Sequence, residues 1–127
     1  PKGNGETILV VEDDPSILKL AKEILEGLNY TVLIADTPKG SMKLAKEHSD
    51  KIHLLITDVI MPIMNGRELS EQLQSLSPDL KCIFMSGYTA NAIAHHGVLD
   101  EGVYFVQKPF SKNDLATIVR KVLNENE

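Results

Sequence analysis

Short apolar runs recur along this 127-residue chain at nearly even spacing, and they constrain its fold more than any other feature. They begin at positions 8, 30, 52, 80 and 103 and cover residues 8–11, 30–35, 52–56, 80–85 and 103–106. The stretches between them carry apolar residues at helical spacing, as in Leu69, Leu73 and Leu76. Alternating strands and helices with such short connections predict an α/β fold: a parallel sheet with helices on both faces.

Capping residues mark where several of the predicted helices begin. Asp14 and Thr37 each precede a proline, and proline is well tolerated at the first helical position. Ser111 is followed three residues later by Asp114, a spacing that resembles a capping box and opens the last helix. The stretch over residues 89–99 is the least regular of the predicted helices because it is short and rich in Ala and His.

Composition excludes several classes of function. Thirteen basic against eighteen acidic residues give a net charge of -5, the wrong sign for binding a phosphate backbone, so we expect no nucleic acid partner. Cys82 is the only cysteine, which rules out an internal disulfide and suits a reducing compartment. No apolar run approaches the roughly 20 residues that span a bilayer. We therefore expect a cytoplasmic domain over residues 7–125 without direct membrane contact, preceded by a flexible leader over residues 1–6.

Polar side chains follow four of the five runs. Glu12, Asp13 and Asp14 follow the first run, Thr57 and Asp58 the third, Ser86 and Gly87 the fourth, and Gln107, Lys108 and Pro109 the fifth. Because the carboxyl ends of parallel strands meet at one edge of a sheet, we expect these groups to lie close together. Clustered carboxylates repel each other unless a cation joins them, and Mg²⁺ prefers such oxygen ligands. Lys108 would neutralise a carboxylate or contact a phosphoryl oxygen, and we expect a cis peptide bond between it and Pro109.

Four strings in this order and spacing make the chain resemble the receiver domain of two-component response regulators. They are ILVVEDDP, LLITDVIMPIMNG, IFMSGYTA and GVYFVQKPFS, and the resemblance covers about residues 7–125. It implies a flavodoxin-like (βα)5 fold whose five-stranded parallel sheet has the order 2-1-3-4-5.

The resemblance also implies the chemistry of the site. Asp58 would accept a phosphoryl group from the phosphohistidine of a histidine kinase or histidine phosphotransfer domain, or from a small phosphodonor. Mg²⁺, for which Mn²⁺ could substitute, would be bound by Glu12, Asp13, Asp58 and the backbone carbonyl of Ile60. Glu12 stands where the family more often has Asp, so contact with the metal either directly or through water remains open.

Three further residues match positions that the family uses for switching. Ser86 takes the place of the switch hydroxyl, Lys108 that of the family's lysine, and Phe105 that of the switching aromatic residue. Phosphorylation adds about -1.5 to -2 charge and three acceptor oxygens, toward which the Ser86 hydroxyl would move. The conformational change would alter a switch face, which is formed by the helix over residues 89–99, the fifth strand and the last helix. A homodimer through this face is also predicted.

Ile60 and Tyr88, two residues beyond Asp58 and Ser86, bear on the fate of the phosphoryl group. Neither bulky side chain can act as a strong base toward a hydrolytic water. We therefore predict slow autodephosphorylation and no turnover enzyme in the isolated domain.

Other functions fit the sequence less well. A phosphatase of the haloacid-dehalogenase type needs a second acid where Ile60 stands, and a dinucleotide or nucleotide module would need G-x-G-x-x-G or G-x-x-x-x-G-K-[ST], which the sequence lacks. A degenerate receiver that binds proteins without phosphorylation remains the alternative. The strings GNGETILVVEDD and GVYFVQKPFS look similar to receivers attached to hybrid sensor histidine kinases. This similarity predicts such a membrane-bound kinase as the parent protein, with a free-standing single-domain regulator as the alternative.

Overall fold

The computed structural model of this chain describes residues 3–48, 50–61, 64–87 and 104–125. Its strands are β1 (Thr7–Val11), β2 (Thr31–Ala35), β3 (Leu54–Asp58), β4 (Lys81–Ser86) and β5 (Phe105–Gln107). Its helices are α1 (Pro15–Gly27), α2 (Pro38–Glu47), α3 (Gly66–Leu76) and α4 (Lys112–Asn124). The predicted helix over residues 89–99 lies outside the described residues. Over the described part of the chain, none of the helices has the length and apolar character needed to cross a membrane.

The five strands form one parallel sheet in the order β2-β1-β3-β4-β5. This confirms the predicted flavodoxin-like order. The chain leaves β1 toward β2 on one side and later returns to place β3 on the other side, so the strand order reverses at β1. In open α/β sheets a crevice forms at the carboxyl ends of the strands that flank this reversal. The ends of β1 and β3 are therefore where a site is expected.

Alternate residues of β1 face opposite sides of the sheet, and each side has its own apolar core. Ile8 and Val10 pack in the core that α1 and α4 cover, whereas Leu9 and Val11 pack in the core that α2 and α3 cover. β3, in the middle of the sheet, is buried along its whole length. Because packed interiors resist displacement, the ends of β1 and β3 are held firmly with respect to each other.

The predicted caps are present at the helix starts. The Asp14 carboxylate accepts a backbone N–H of the first turn of α1 at 2.9 Å, and the Thr37 hydroxyl accepts one from α2 at 3.0 Å. Ser111 and Asp114 form the reciprocal capping box, with both hydrogen bonds at 3.0 Å. Asn65 caps α3, a start that the sequence analysis did not mark. The caps satisfy backbone donors that would otherwise lack partners at the ends of helices.

The third strand begins and ends two residues later than its apolar run. The run covers residues 52–56, but β3 is Leu54–Asp58, so Thr57 and Asp58 are its last residues rather than the first after it. Ser86 is likewise the last residue of β4. Apolar runs report burial, whereas strand bounds depend on backbone pairing, which buried polar residues can continue. The polar groups still lie at the carboxyl edge.

The described part of the predicted leader, residues 3–6, is hydrogen-bonded to the loop between α1 and β2. The N–H of Gly3 donates to the carbonyl of Leu28 at 2.7 Å, and that of Gly5 donates to Asn29 at 2.9 Å. These backbone hydrogen bonds attach the segment to the amino edge of the sheet, opposite the polar groups. Composition alone gave no signal for them.

Candidate functional site

Four charged side chains from three segments meet at the carboxyl edge of the sheet. Glu12 and Asp13 follow β1, Asp58 ends β3, and Lys108 follows β5. One carboxylate oxygen from each of Glu12, Asp13 and Asp58 lies within 4.8 Å of the others. We call these four residues the acidic site. The structure thus brings together the charged groups that the sequence placed at separate strand ends.

A single ammonium group serves two of the three carboxylates. The Nζ atom of Lys108 lies 2.9 Å from Oε2 of Glu12 and 3.5 Å from Oδ1 of Asp58. The backbone N–H of Lys108 donates to the carbonyl of Ser86 at 2.7 Å, which ties the lysine to the end of β4. The peptide bond between Lys108 and Pro109 is cis, as predicted. In this state Lys108 performs the first of its two predicted tasks, the neutralisation of carboxylates.

Burial makes the negative charge of the acidic site unfavourable. Only 1% of Glu12 and 7% of Asp58 is exposed. Burial raises the pKa of both carboxyl groups above their ordinary values, although the Lys108 ammonium opposes the shift. Burial alone would lower the pKa of Lys108, but the hydrogen bond to Glu12 and the charge of Asp58 raise it. The site holds more negative charge than its own cation balances.

Backbone hydrogen bonds hold the main chain on both sides of Asp58. The Thr57 hydroxyl donates to the Asp58 carbonyl at 3.1 Å. The N–H of Val59 donates to the Met85 carbonyl at 2.9 Å, and the N–H of Gly66 donates to the Val59 carbonyl at 2.7 Å. Thr57 was expected at this edge only as one of several polar groups, and Gly66 was not predicted to have a role. The Asn-Gly pair at the start of α3 was the available signal, because such a pair marks a turn with close backbone approach.

The remaining predicted residues lie around the acidic site. Ser86 is buried at the end of β4, and Phe105 begins β5, half-buried against Phe84. Ile60 is 51% exposed, and its backbone favours the charged form of the Asp58 carboxylate, which acts to lower the pKa of that group. The predicted metal contact of the Ile60 carbonyl and the switching roles of Ser86 and Phe105 stay predictions.

The acidic site has the ligand chemistry of a hard divalent cation. The side chains that it offers as ligands are carboxylates, and Mg²⁺ binds such sites through one or two carboxylates while it keeps several waters. An added cation would also offset the burial, and the weaker mutual repulsion, that raise the pKa of Glu12 and Asp58. The donor set therefore fits the predicted metal.

Comparison with known families agrees with this geometry. The family model of the response regulator receiver domain matches residues 8–120. The chain belongs to the response regulator receiver family. As a receiver it is similar to the sensor kinase CckA of Brucella abortus (strain 2308), with 33% identity over 121 residues. That match covers 95% of this chain but only 13% of the kinase. The receiver protein CpdR of the same organism is 31% identical, with 91% of this chain and 95% of CpdR covered.

Solved receiver structures share the fold. The receiver domain from the hybrid histidine kinase CckA superimposes with a TM-score of 0.79 at 31% identity, with 93% of this chain and 99% of that chain covered. A receiver domain protein from Clostridium thermocellum gives 0.81 at 26% identity, with 93% and 94% covered. Proteins of the receiver family act in two-component systems and interact with histidine kinases or phosphotransfer proteins.

Proposed function

We propose that this receiver accepts a phosphoryl group on Asp58 from the phosphohistidine of a histidine kinase or histidine phosphotransfer domain. The observation that carries the proposal is the acidic site: three carboxylates within 4.8 Å, with Lys108 bound to two of them. Asp58 ends the central strand and retains 7% exposure, so a donor could reach its carboxylate. A small phosphodonor such as acetyl phosphate would serve the same reaction.

The metal partner that we propose is Mg²⁺, with Mn²⁺ as a substitute because it accepts the same oxygen ligands. Glu12, Asp13, Asp58 and the backbone carbonyl of Ile60 would hold it, with Glu12 either in direct contact or linked through water. When bound, the ion would neutralise negative charge on the transferring phosphoryl group.

In the proposed transfer, a carboxylate oxygen of Asp58 forms a bond to phosphorus as the phosphorus–nitrogen bond of the donor breaks. The electron pair of the broken bond stays on the donor imidazole. Lys108 reduces the repulsion between the carboxylate and the anionic phosphoryl group, and it would exchange its contact with Asp58 for a phosphoryl oxygen. The rigid sheet edge holds Asp58 in line for the attack.

We also propose that the domain releases its phosphoryl group slowly and is not a turnover enzyme by itself. The exposed Ile60 side chain, two residues beyond Asp58, carries no group that could activate water. Tyr88, the other residue behind this prediction, lies outside the described residues. A phosphoryl lifetime of only seconds with Mg²⁺ would contradict the proposal.

The output that we propose is a conformational change of the switch face. The Ser86 hydroxyl would bind a phosphoryl oxygen, and the Phe105 ring would then turn inward. Phe105 begins β5 and packs against Phe84 of the neighbouring strand, so a movement at the end of β4 could reach it directly. A homodimer through this face would be one way to transmit the change.

The setting that we propose is a hybrid sensor histidine kinase, with the receiver on the cytoplasmic side of the membrane. The similarity to CckA, which spans 95% of this chain, supports this parent. The 91% match to the small receiver protein CpdR supports a free-standing regulator as the competing arrangement. The sequence of the complete reading frame distinguishes the two.

Intact-mass measurement with acetyl phosphate tests the acceptor. We expect the parent protein to gain one phosphoryl group with Mg²⁺ and little without it, and Asp58→Asn to gain none. Asp36→Asn is the matched control because Asp36 is an exposed carboxylate outside the acidic site, and it should behave as the parent does. Gain of a phosphoryl group by Asp58→Asn would show that a residue other than Asp58 is the acceptor. Absence of any gain in the parent would favour the degenerate receiver.

A further inference from the structure

Gly66, the first residue of α3, lies directly against the main chain of the proposed acceptor. A Cβ atom at this position would lie 2.3 Å from the carbonyl oxygen of Asp58 and 3.1 Å from its carbonyl carbon. The obstructing atoms belong to the backbone of a buried central strand, so they cannot rotate away as a flexible side chain can. The close approach of α3 to β3 therefore requires glycine.

The same contact region carries the hydrogen bonds that fix the acceptor backbone. Gly66 donates to the carbonyl of Val59, and Val59 donates to Met85 of β4. The Thr57 hydroxyl also donates to the Asp58 carbonyl, and the Thr57 methyl group would itself lie 3.1 Å from a Cβ atom at Gly66. A shift of α3 would consequently move the peptide units next to Asp58.

We propose that Gly66 is a positioning residue for phosphoryl acceptance, because its missing side chain lets α3 set the place of the Asp58 carboxylate. This inference rests on the proposed role of Asp58. The carboxylate must stay near Nζ of Lys108, now 3.5 Å away, and near the oxygens of Glu12 and Asp13. A misplacement of about 1 Å at a reacting group can reduce a rate roughly 100-fold.

The test compares Gly66→Ala with Gly27→Ala. Gly27 ends α1, and a Cβ atom at this position would meet no other atom within 4 Å, so this variant introduces the same methyl group without a clash. Mg²⁺ binding is measured by isothermal titration calorimetry, and phosphorylation by acetyl phosphate is measured by intact mass. Both assays are run at a temperature where melting curves show every variant folded.

We expect Gly66→Ala to weaken Mg²⁺ binding roughly tenfold, as loss of support for a metal ligand does. Its maximal phosphorylation rate should fall between about 10-fold and 100-fold, with the half-saturating donor concentration nearly unchanged. Gly27→Ala should match the parent in all three quantities. A purely structural role for Gly66 predicts a lower melting temperature alone, and that result would overturn the proposal.

Thr57→Val and Thr57→Ser keep the test decisive if Gly66→Ala does not fold. Valine preserves the shape of the buried Thr57 side chain but removes the donor to the Asp58 carbonyl, whereas serine retains the donor. We expect a slower maximal rate and weaker Mg²⁺ binding in Thr57→Val, with recovery in Thr57→Ser. Parent-like values in Thr57→Val would count against backbone positioning. Failure of the parent itself to gain a phosphoryl group would refute the proposed function, while the Mg²⁺ affinities would still report on positioning.

Discussion

Acidic and basic side chains meet at both the carboxyl and the amino edge of the sheet, but in different proportions. At the carboxyl edge, the acidic site gives three carboxylates one ammonium, with Lys108 shared between Glu12 and Asp58. At the amino edge, Glu6 forms an ion pair with Arg120 of α4, with 2.8 Å between Oε2 and Nη2. Glu12 and Asp58 are buried and Asp13 is exposed, while the Glu6 and Arg120 side chains are 18% and 16% exposed.

The pKa values shift in opposite directions at the two edges. Burial raises the pKa of Glu6, but the backbone N–H of Asn4 and the Arg120 guanidinium outweigh it and lower the net value. Burial prevails at Glu12 and Asp58, whose pKa values rise. A carboxylate that has its own cation stabilises the folded protein. Three carboxylates that share one cation still repel each other, and binding of a further cation or protonation of a carboxylate would reduce that repulsion.

Loss of the Lys108 cation should have the largest effect on the rate of phosphorylation. We expect Lys108→Met to lower the rate of phosphorylation by acetyl phosphate about 100-fold, because the attacking carboxylate loses the charge that offsets its repulsion from the donor. Arg120→Met should leave that rate within about twofold. Intact-mass time courses measure both. Equal losses in the two variants would mean that the two clusters do not differ in function.

Loss of the amino-edge cation should have the largest effect on stability. We expect Arg120→Met to lower the free energy of unfolding by about 2 kcal/mol, because it leaves the partly buried Glu6 carboxylate without its cation. Arg67→Met is the control, since Arg67 pairs with Glu71 at an exposed position and should contribute less than about 0.5 kcal/mol. Urea denaturation measures both changes. A loss in Arg120→Met no larger than in the control would show that this pair is only a surface contact.

Removal of the acceptor charge should stabilise the fold. Without divalent metal at pH 7, we expect Asp58→Asn to raise the free energy of unfolding by about 1 kcal/mol, because it removes a charge that burial disfavours and that Asp13 repels. Added Mg²⁺ should raise the melting temperature of the parent, EDTA should reverse the rise, and Asp58→Asn should respond much less. A destabilised Asp58→Asn would contradict the view that the acidic site carries excess negative charge.

The smallest effect should be a difference in pH dependence. Glu6 has a lowered pKa in the folded state, so its stabilising contribution is present above its ordinary value of 4.5 and is lost as pH falls through the lowered value. Asp58 has a raised pKa, so its destabilising charge forms as pH rises through that value and is absent below its ordinary 3.8. Unfolding measured from pH 3 to pH 8 should show that the loss in Glu6→Gln and the gain in Asp58→Asn both fade toward acid pH. The loss in Glu6→Gln should keep its full size above pH 4.5, and the gain in Asp58→Asn should be gone below pH 3.8.

Much of the fold and part of the site could be predicted from the sequence. The parallel sheet and the caps at Asp14, Thr37 and Ser111 follow from local patterns, and the structure contains them. The bounds of β3 could not be predicted, because backbone pairing continues through its polar end. The close fit of Gly66 against Asp58 was also missed, since it depends on how near α3 approaches the sheet.

The amino-acid sequence by itself determined the alternation of strands and helices and the chemical groups that end at the carboxyl edge. Those features arise from apolar periodicity and capping, which act over a few residues. Only the tertiary structure decided which charges meet: Lys108 with Glu12, 96 positions earlier, and Arg120 with Glu6, 114 positions earlier. Packing of the helices on the sheet sets the distances between such remote segments. Those distances, together with burial, determine which carboxylate is neutralised by a nearby cation and which one remains reactive.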